Sequence, residues 1–311
     1  MSTTSPEPPP DEFTRWQRAG RTYRHRGRSI FYRTEGDGPP LLLLHGFPSA
    51  SWDFQPLWAA LTARFQVVAA DMLGFGWSDK PRRAEYSILD QASCQEGLLR
   101  ELGIGSAHVL AHDYGDTVAQ ELLARQEDRA QRGEAGLQLQ SVCFLNGGLF
   151  PETHRPRKVQ KLLASPLGPL IERLITRAAF DAGMIAIFGR QTPPSARFLD
   201  ELWTLLRHQD GHLVLHHLIG YMAERRRHRA RWVGALLGRH VKTPLRVIDG
   251  AADPVSGAHM VARYRELVPQ PDTVELPDIG HYPQVEAPQA VLAEFLAFHQ
   301  KIGTQTRLAL P

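Results

Sequence analysis

Asp113 lies in the run Ala111-His112-Asp113-Tyr114-Gly115, between an apolar strand pattern and a helical one, with no residues left for a loop. A turn this sharp exposes the side chain at its apex and is the geometry of a nucleophile elbow, usually written G-x-S-x-G. Here aspartate replaces the serine, and Ala111, small enough to keep the turn tight, replaces the first glycine. An aspartate after a strand can also simply cap the next helix. The residues that could act with it decide between the two readings.

A carboxylate nucleophile implies a particular chemistry. A free aspartate is ionised at neutral pH, with a reference pKa near 3.9, so it needs no base in order to attack. It is also weak, so its target must be an sp³ carbon with a good or assisted leaving group. Attack gives an ester. A histidine-activated water then hydrolyses that ester at the aspartate's own carbonyl carbon.

Three further stretches supply partners. His45-Gly46-Phe47-Pro48 ends a buried strand, where the backbone N–H groups of Phe47 and Tyr114 could hold an oxyanion. Gly and Pro also punctuate ordinary turns. Gly280-His281-Tyr282-Pro283 follows the last strand and makes His281 the candidate general base among 14 histidines. Asp253, in Gly250-Ala251-Ala252-Asp253-Pro254, is the acid expected to orient it, with Asp249 as a second candidate nearer the strand. The order nucleophile, acid, histidine along the chain fits this assignment. The preceding strand ends at Asn146, which cannot carry the charge.

Such a set needs a scaffold that gathers distant segments at one edge. Short apolar runs alternate with helical patterns, which predicts βαβ units and a mainly parallel sheet. Strands are expected at 41–44, 65–71, 107–111, 139–145, 245–249 and 273–276, with a hairpin over 22–35 turning at Gly27. Helices are expected at 52–63, 87–102, 114–126 and 288–299. The alternation stops over 150–238, which reads as an inserted helical lid at the strand ends where ligands bind. The core then comprises 21–149 and 239–303. Residues 1–20 are expected to be a disordered tail with no secretory signal, and 304–311 to fray.

The bulk numbers exclude rather than select. With 311 residues, 42% hydrophobic and 22% charged, the composition is that of an ordinary globular chain. The 36 Lys+Arg against 33 Asp+Glu give +3, too balanced to argue for nucleic acid. Cys94 and Cys143 lack metal spacing and read as free thiols of a cytoplasmic protein. No metal, cofactor or membrane-spanning segment is expected, and the oligomeric state is not legible.

Taken together, HGFP at 45–48, DMLGFGWSDKP at 71–81, HDYG at 112–115 and GHYPQVEAP at 280–288 resemble epoxide hydrolases and haloalkane dehalogenases. The resemblance runs from about residue 21 to 299. It implies an α/β-hydrolase fold, a mostly parallel eight-stranded sheet with an inserted helical lid. HDYGDTVAQELL at 112–123, NGGLFPETHRP at 146–156 and RWVGAL at 231–236 are similar to one branch, the mesoderm-specific transcript protein family. Haloalkane dehalogenases usually carry Trp after the nucleophile and often Asn in the oxyanion loop, where this chain has Tyr114 and Phe47. Epoxide hydrolases use lid tyrosines, typically two, to protonate the leaving oxygen. Tyr221 is the only tyrosine over 150–238, so it is the expected donor, with His154 as a second.

The resemblance therefore implies a small apolar epoxide or similar electrophile as substrate. A dehalogenase with the same nucleophile, an esterase-like enzyme and a non-catalytic member of the fold are the alternatives. Glu152 and Thr153 are further pocket candidates. The arginines at 225, 226, 227, 229 and 231 could meet an anionic substrate or a membrane surface, but such a run usually forms a solvated helix face. Trp203 and Trp232 read as packing residues of the lid.

Overall fold

A computed structural model describes residues 11–308. Its eight strands are β1 (Arg21–His25), β2 (Arg28–Glu35), β3 (Pro40–Leu44), β4 (Gln66–Ala70), β5 (Ser106–His112), β6 (Gln138–Leu145), β7 (Leu245–Gly250) and β8 (Thr273–Leu276). They form one sheet in the order β1-β2-β4-β3-β5-β6-β7-β8. Only the β1–β2 and β2–β4 pairings are antiparallel. The mostly parallel eight-stranded sheet implied by the resemblance is the one observed.

Local chemistry explains the frame. The β1–β2 hairpin turns through Arg26 and Gly27, both at positive φ, as a two-residue hairpin loop of the primed type requires. In β3, Leu41 and Leu43 face one core layer while Leu42 and Leu44 face the other. A strand packed on both faces reads as an unbroken apolar run, which is why its alternation is invisible in the sequence.

Helices cover both faces. α1 (Glu12–Arg18), α2 (Gln55–Thr62), α3 (Ile88–Glu101) and α4 (Tyr114–Arg132) precede β6. Between β6 and β7 lie seven α-helices: α5 (Lys158–Leu163), α6 (Gly168–Ile171), α7 (Arg177–Ile185), α8 (Ala196–Arg207), α9 (Leu215–Leu218), α10 (Tyr221–Arg227) and α11 (Arg229–Ala235). α12 (Ala258–Leu267), α13 (Pro283–Glu286) and α14 (Pro288–Leu308) complete the chain. No helix among the described residues is long and apolar enough to cross a membrane.

The termini depart from expectation. Residues 12–18, read as part of a disordered tail, form α1, capped by the Asp11 carboxylate on the Thr14 amide. Trp16 is the reason. It is buried edge-on against Trp52 and Trp58, with Arg33 stacked on its ring. At the other end α14 continues through Leu308, so residues 304–308 are helical. Residues 1–10 and 309–311 lie outside the described residues, and the expectations of a tail and of fraying are not addressed there.

Candidate active site

The site gathers at the carboxyl ends of five parallel strands. Asp113 follows β5 directly, at φ 48° and ψ −102°. Such a backbone costs an L-residue about 1–3 kcal/mol and persists only where its surroundings enforce it. Here the Asp113 amide donates to the Leu145 carbonyl (3.2 Å), and Gly115 lets the start of α4 press on the Leu44 carbonyl, where any Cβ would collide. Asp113 gives α4 no side-chain cap, so its carboxylate is left for other partners.

One of those partners is the loop after β3. The Phe47 amide donates to Asp113 Oδ2 (3.0 Å). His45 fixes this loop by accepting from the Met72 amide at Nε2 (2.9 Å), so its Nδ1–H donates to the Gly46 carbonyl (2.9 Å). Tyr114 opens α4, and its ring packs against Phe75 and Tyr221 with centroids 5.2 and 5.1 Å away.

His281 follows β8. Its Nδ1–H donates to Asp253 Oδ2 (2.8 Å), in the loop after β7. Asp253 also accepts from the Val255 amide (2.7 Å), the Ser256 amide (3.0 Å), the Ser256 hydroxyl (2.9 Å) and Asn146 Nδ2 (3.1 Å). Burial alone would raise the Asp253 pKa. The His281 charge and these hydrogen bonds outweigh it and hold the pKa at about 2. Burial would lower the His281 pKa. The Asp253 carboxylate, helped by Asp113, outweighs it and lifts the pKa to about 9.

Asp249, the second candidate acid, is buried in β7 with no hydrogen-bond partner for either oxygen among the described residues. Burial pushes its pKa well above the usual carboxylate range, as it does for Asp53 and Asp116 nearby. The hydrogen bond to His281 belongs to Asp253 instead.

Two supporting residues escaped the sequence reading. Asn146, passed over as unable to carry charge, clamps the acid loop. It exchanges hydrogen bonds with Gly250 (2.6 and 3.0 Å) while donating to Asp253. His112, buried with its pKa lowered to about 3 by burial first and then by the His281 charge, is neutral, so its Nε2–H donates to the His281 carbonyl (2.7 Å). The position of Asn146 at the tip of a strand beside the elbow was the one available signal.

The helical segment closes over these groups, and Asp113 is 3% exposed. Tyr221 is 1% exposed, its ring 6.2 Å from that of Phe47, and its hydroxyl has no hydrogen-bond partner among the described residues. Burial and the Asp113 charge both raise its pKa. His154 has two buried nitrogens without partners among the described residues, and burial together with Arg225 lowers its pKa to about 3. At neutral pH it is therefore uncharged and suited to hydrogen bonding rather than to supplying an acid proton.

The arginine run divides in a way the sequence did not suggest. Arg225 is 2% exposed and turned inward, donating from Nε to Thr117 Oγ1 (2.7 Å) and from Nη2 to the Asp113 carbonyl (3.1 Å). Arg231 pairs with Glu121 (3.1 Å) and Arg229 with Glu152 (2.9 Å), while Arg226 and Arg227 are exposed. The expected solvated face thus holds for part of the run only. Glu152, a pocket candidate, is spent on this outer ion pair and on Arg263, which keep its pKa at about 2. Thr153 only closes a turn on the Phe150 carbonyl (3.0 Å). Trp232 packs α11 on α4 and donates to Glu121 (2.8 Å). Trp203 packs on Phe180, as expected of a packing residue.

A cavity of about 350 Å³ lined by His25, Arg28, Leu73, Ser87 and Asp90 contains none of these groups. The site is marked instead by the buried polar atoms of Tyr221, His154 and Arg225 that have no partner among the described residues. Among the described residues no cluster of His, Cys, Asp or Glu could hold a metal ion.

Comparison with known proteins agrees with the fold. Residues 39–133 match the family described as the alpha/beta hydrolase fold. The chain is 42% identical over 294 residues to the mouse (Mus musculus) mesoderm-specific transcript protein, covering 91% of this chain and 86% of that one. Among solved structures, haloalkane dehalogenase DbeA from Bradyrhizobium elkani superposes with a TM-score of 0.75 at 20% identity, covering 92% of this chain and 99% of that one. The epoxide hydrolase CorEH gives 0.73 at 18%, covering 91% and 99%. At these identities the two structures speak for the fold alone. The identity to the mouse protein over most of both chains goes further: this protein belongs to the mesoderm-specific transcript protein family of α/β hydrolases.

Proposed function

We propose that the protein is a hydrolase that opens an epoxide, or a similar carbon electrophile, through an ester on Asp113. The observation that carries this reading is how Asp113 is held. One carboxylate oxygen, Oδ2, accepts from the Phe47 amide, which leaves Oδ1 to attack. In the first step Oδ1 bonds to the substrate carbon, the carbon–oxygen bond of the ring breaks, and the departing oxygen takes the Tyr221 hydroxyl proton.

In the second step His281 removes a proton from water, and the resulting hydroxide adds to the Asp113 carbonyl carbon. The negative charge that develops on Oδ2 meets the Phe47 N–H and, as the oxyanion reading holds, that of Tyr114. Collapse releases the diol and restores the carboxylate. The proton taken from water restores the His281 imidazolium. With a pKa of about 9, His281 starts as an imidazolium. Esterification removes the Asp113 charge, one of the groups that hold that proton, so after the first step the proton passes through solvent to the Tyr221 phenolate, which restores the donor and frees the base.

Of the alternatives, halide displacement is less well served, because Phe47 and Tyr114 provide neither the Asn amide nor the indole N–H that dehalogenases use. Stability of the ester without its base tests the reading. His281→Gln incubated with styrene oxide should gain the substrate's mass on the peptide containing Asp113 and should not turn over. Unimpaired steady-state turnover by this variant would refute it.

A further inference from the structure

Arg225 carries more than a structural tie needs. It reaches from α10 to the elbow, with its guanidinium carbon 4.5 Å from the centre of the Tyr221 ring. Nε and Nη2 are satisfied by Thr117 and by the Asp113 carbonyl. Nη1 is buried and donates to nothing among the described residues. A buried donor without an acceptor costs about 1–3 kcal/mol, and arginine's fork is the side chain best suited to oxyanions. A Cβ on Gly148 would also stand 3.1 Å from His154 Nδ1, likewise buried and without a partner among the described residues, and the Tyr221 hydroxyl is a third such group. Gly148 makes the room: a Cβ there would collide with Nη1.

Charge placement says what this cluster waits for. Arg225 Nη2 is 3.9 Å from Asp113 Oδ1, the oxygen the Phe47 amide does not hold. In the reaction set out above, on which this inference rests, attack turns the Asp113 carboxylate into a neutral ester and moves its negative charge to the departing oxygen. Arg225 then loses its counter-charge as a new one forms. We propose that Arg225 is the oxyanion-binding residue of the leaving-group side, and that its unpaired Nη1 receives the oxygen that departs from the attacked carbon.

The step balances. The Oδ1 lone pair forms the ester bond, the electrons of the breaking carbon–oxygen bond stay on the oxygen, and Nη1–H donates to it while Tyr221 gives up its proton. The phenolate left behind lies beside the same guanidinium. Arg225 thus supplies a second donor beside the single lid tyrosine, and it matters most for electrophiles that release an oxygen, because a halide is already a good leaving group and a weaker hydrogen-bond acceptor.

Two arms test this. The first needs no turnover. Asp113→Asn removes the carboxylate beside Arg225, and titration with benzoate reads the vacated anion site. Benzoate should bind Asp113→Asn about tenfold or more tighter than Asp113→Asn with Arg225→Gln, the scale of a lost charged hydrogen bond. Equal affinities would overturn the proposal.

The second arm measures the rate of ester formation on Asp113 by mass spectrometry in His281→Gln, with and without Arg225→Gln. Arg225→Gln should slow reaction with styrene oxide about tenfold or more and leave reaction with benzyl bromide within about twofold. Equal slowing of both, or of neither, would overturn the leaving-oxygen role. A loss confined to phenylglycidate, which carries its own carboxylate, would overturn it too and move Arg225 to a substituent of the substrate. Arg225→Lys, which keeps the charge, should recover part of the rate. Thermal melts of each variant separate misfolding from a lost interaction. If no electrophile alkylates Asp113 in His281→Gln, the nucleophile reading fails, and the benzoate arm still decides whether Arg225 binds an oxyanion.

Discussion

Asp253→Asn removes one charge from a buried pair while keeping its shape, and its effect can be worked out from the His281 titration. In the folded protein His281 has a pKa of about 9, against an ordinary 6.5. At 1.36 kcal/mol per tenfold, that difference stabilises the fold by roughly 3 kcal/mol. The Asp253 side, about 2 against 3.8, gives a similar figure for the same interaction, so the two are not summed. Because the folded pKa of His281 lies above the unfolded one, the contribution is complete below about pH 6.5. It is lost as the pH rises through about 9. In Asp253→Asn the largest raising cause is gone, and burial, which lowers the pKa, is opposed only by the weaker pull of Asp113 and Glu286. Urea unfolding between pH 5.5 and 9.5 should therefore show the wild type exceeding the variant most at the acid end. The gap should narrow by roughly 3 kcal/mol across that range. Hydrolysis of the Asp113 ester should slow by about a hundredfold or more, the scale of a general base that has lost its orienting partner. A gap that stays constant from pH 6.5 to 9.5 would refute the assignment of this titration to the His281–Asp253 pair. If instead Asp249→Ala is crippled and Asp253→Asn is not, the acid is Asp249.

Tyr221→Phe keeps the ring and removes a hydroxyl with no partner among the described residues. Epoxide opening should slow about tenfold or more while haloalkane turnover, if present, and urea stability stay the same; an unchanged epoxide rate would exclude Tyr221 as the proton donor. Asn146→Ala loses the hydrogen bonds to Gly250 and Asp253 and places alanine at φ 38°. It should cost about 2–3 kcal/mol in urea unfolding and slow ester hydrolysis more than ester formation, and equal slowing of both steps would show that Asn146 does not act through the acid loop.

Much of this molecule is local and therefore readable in one dimension. The apolar run of β3, the helical spacing after Tyr114 and the glycine turn at Gly27 depend on neighbours a few residues away. Each matches the element found. The elbow around Asp113, the loop ending at Phe47 and the turns holding Asp253 and His281 sit at strand ends, and strand ends are visible as breaks in the apolar pattern. A parallel sheet brings those ends to one edge whatever joins them, so the order of the strands did not have to be known for the set to be guessed.

What the chain did not reveal depends on contacts between distant residues. Arg225 and Asp113 are 112 residues apart, and Asn146 and Asp253 are 107 apart. The five arginines over 225–231 look alike in the sequence. Only the packing of α10 and α11 on α4 turns one of them inward and leaves the others to carboxylates at its edge or to solvent. Trp16 likewise looks like part of a polar tail until Trp52, Trp58 and Arg33 gather around it. Burial is a property of the whole fold. It separates an arginine facing a nucleophile from one facing water, and among buried acids the hydrogen bond to His281 separates Asp253 from Asp249.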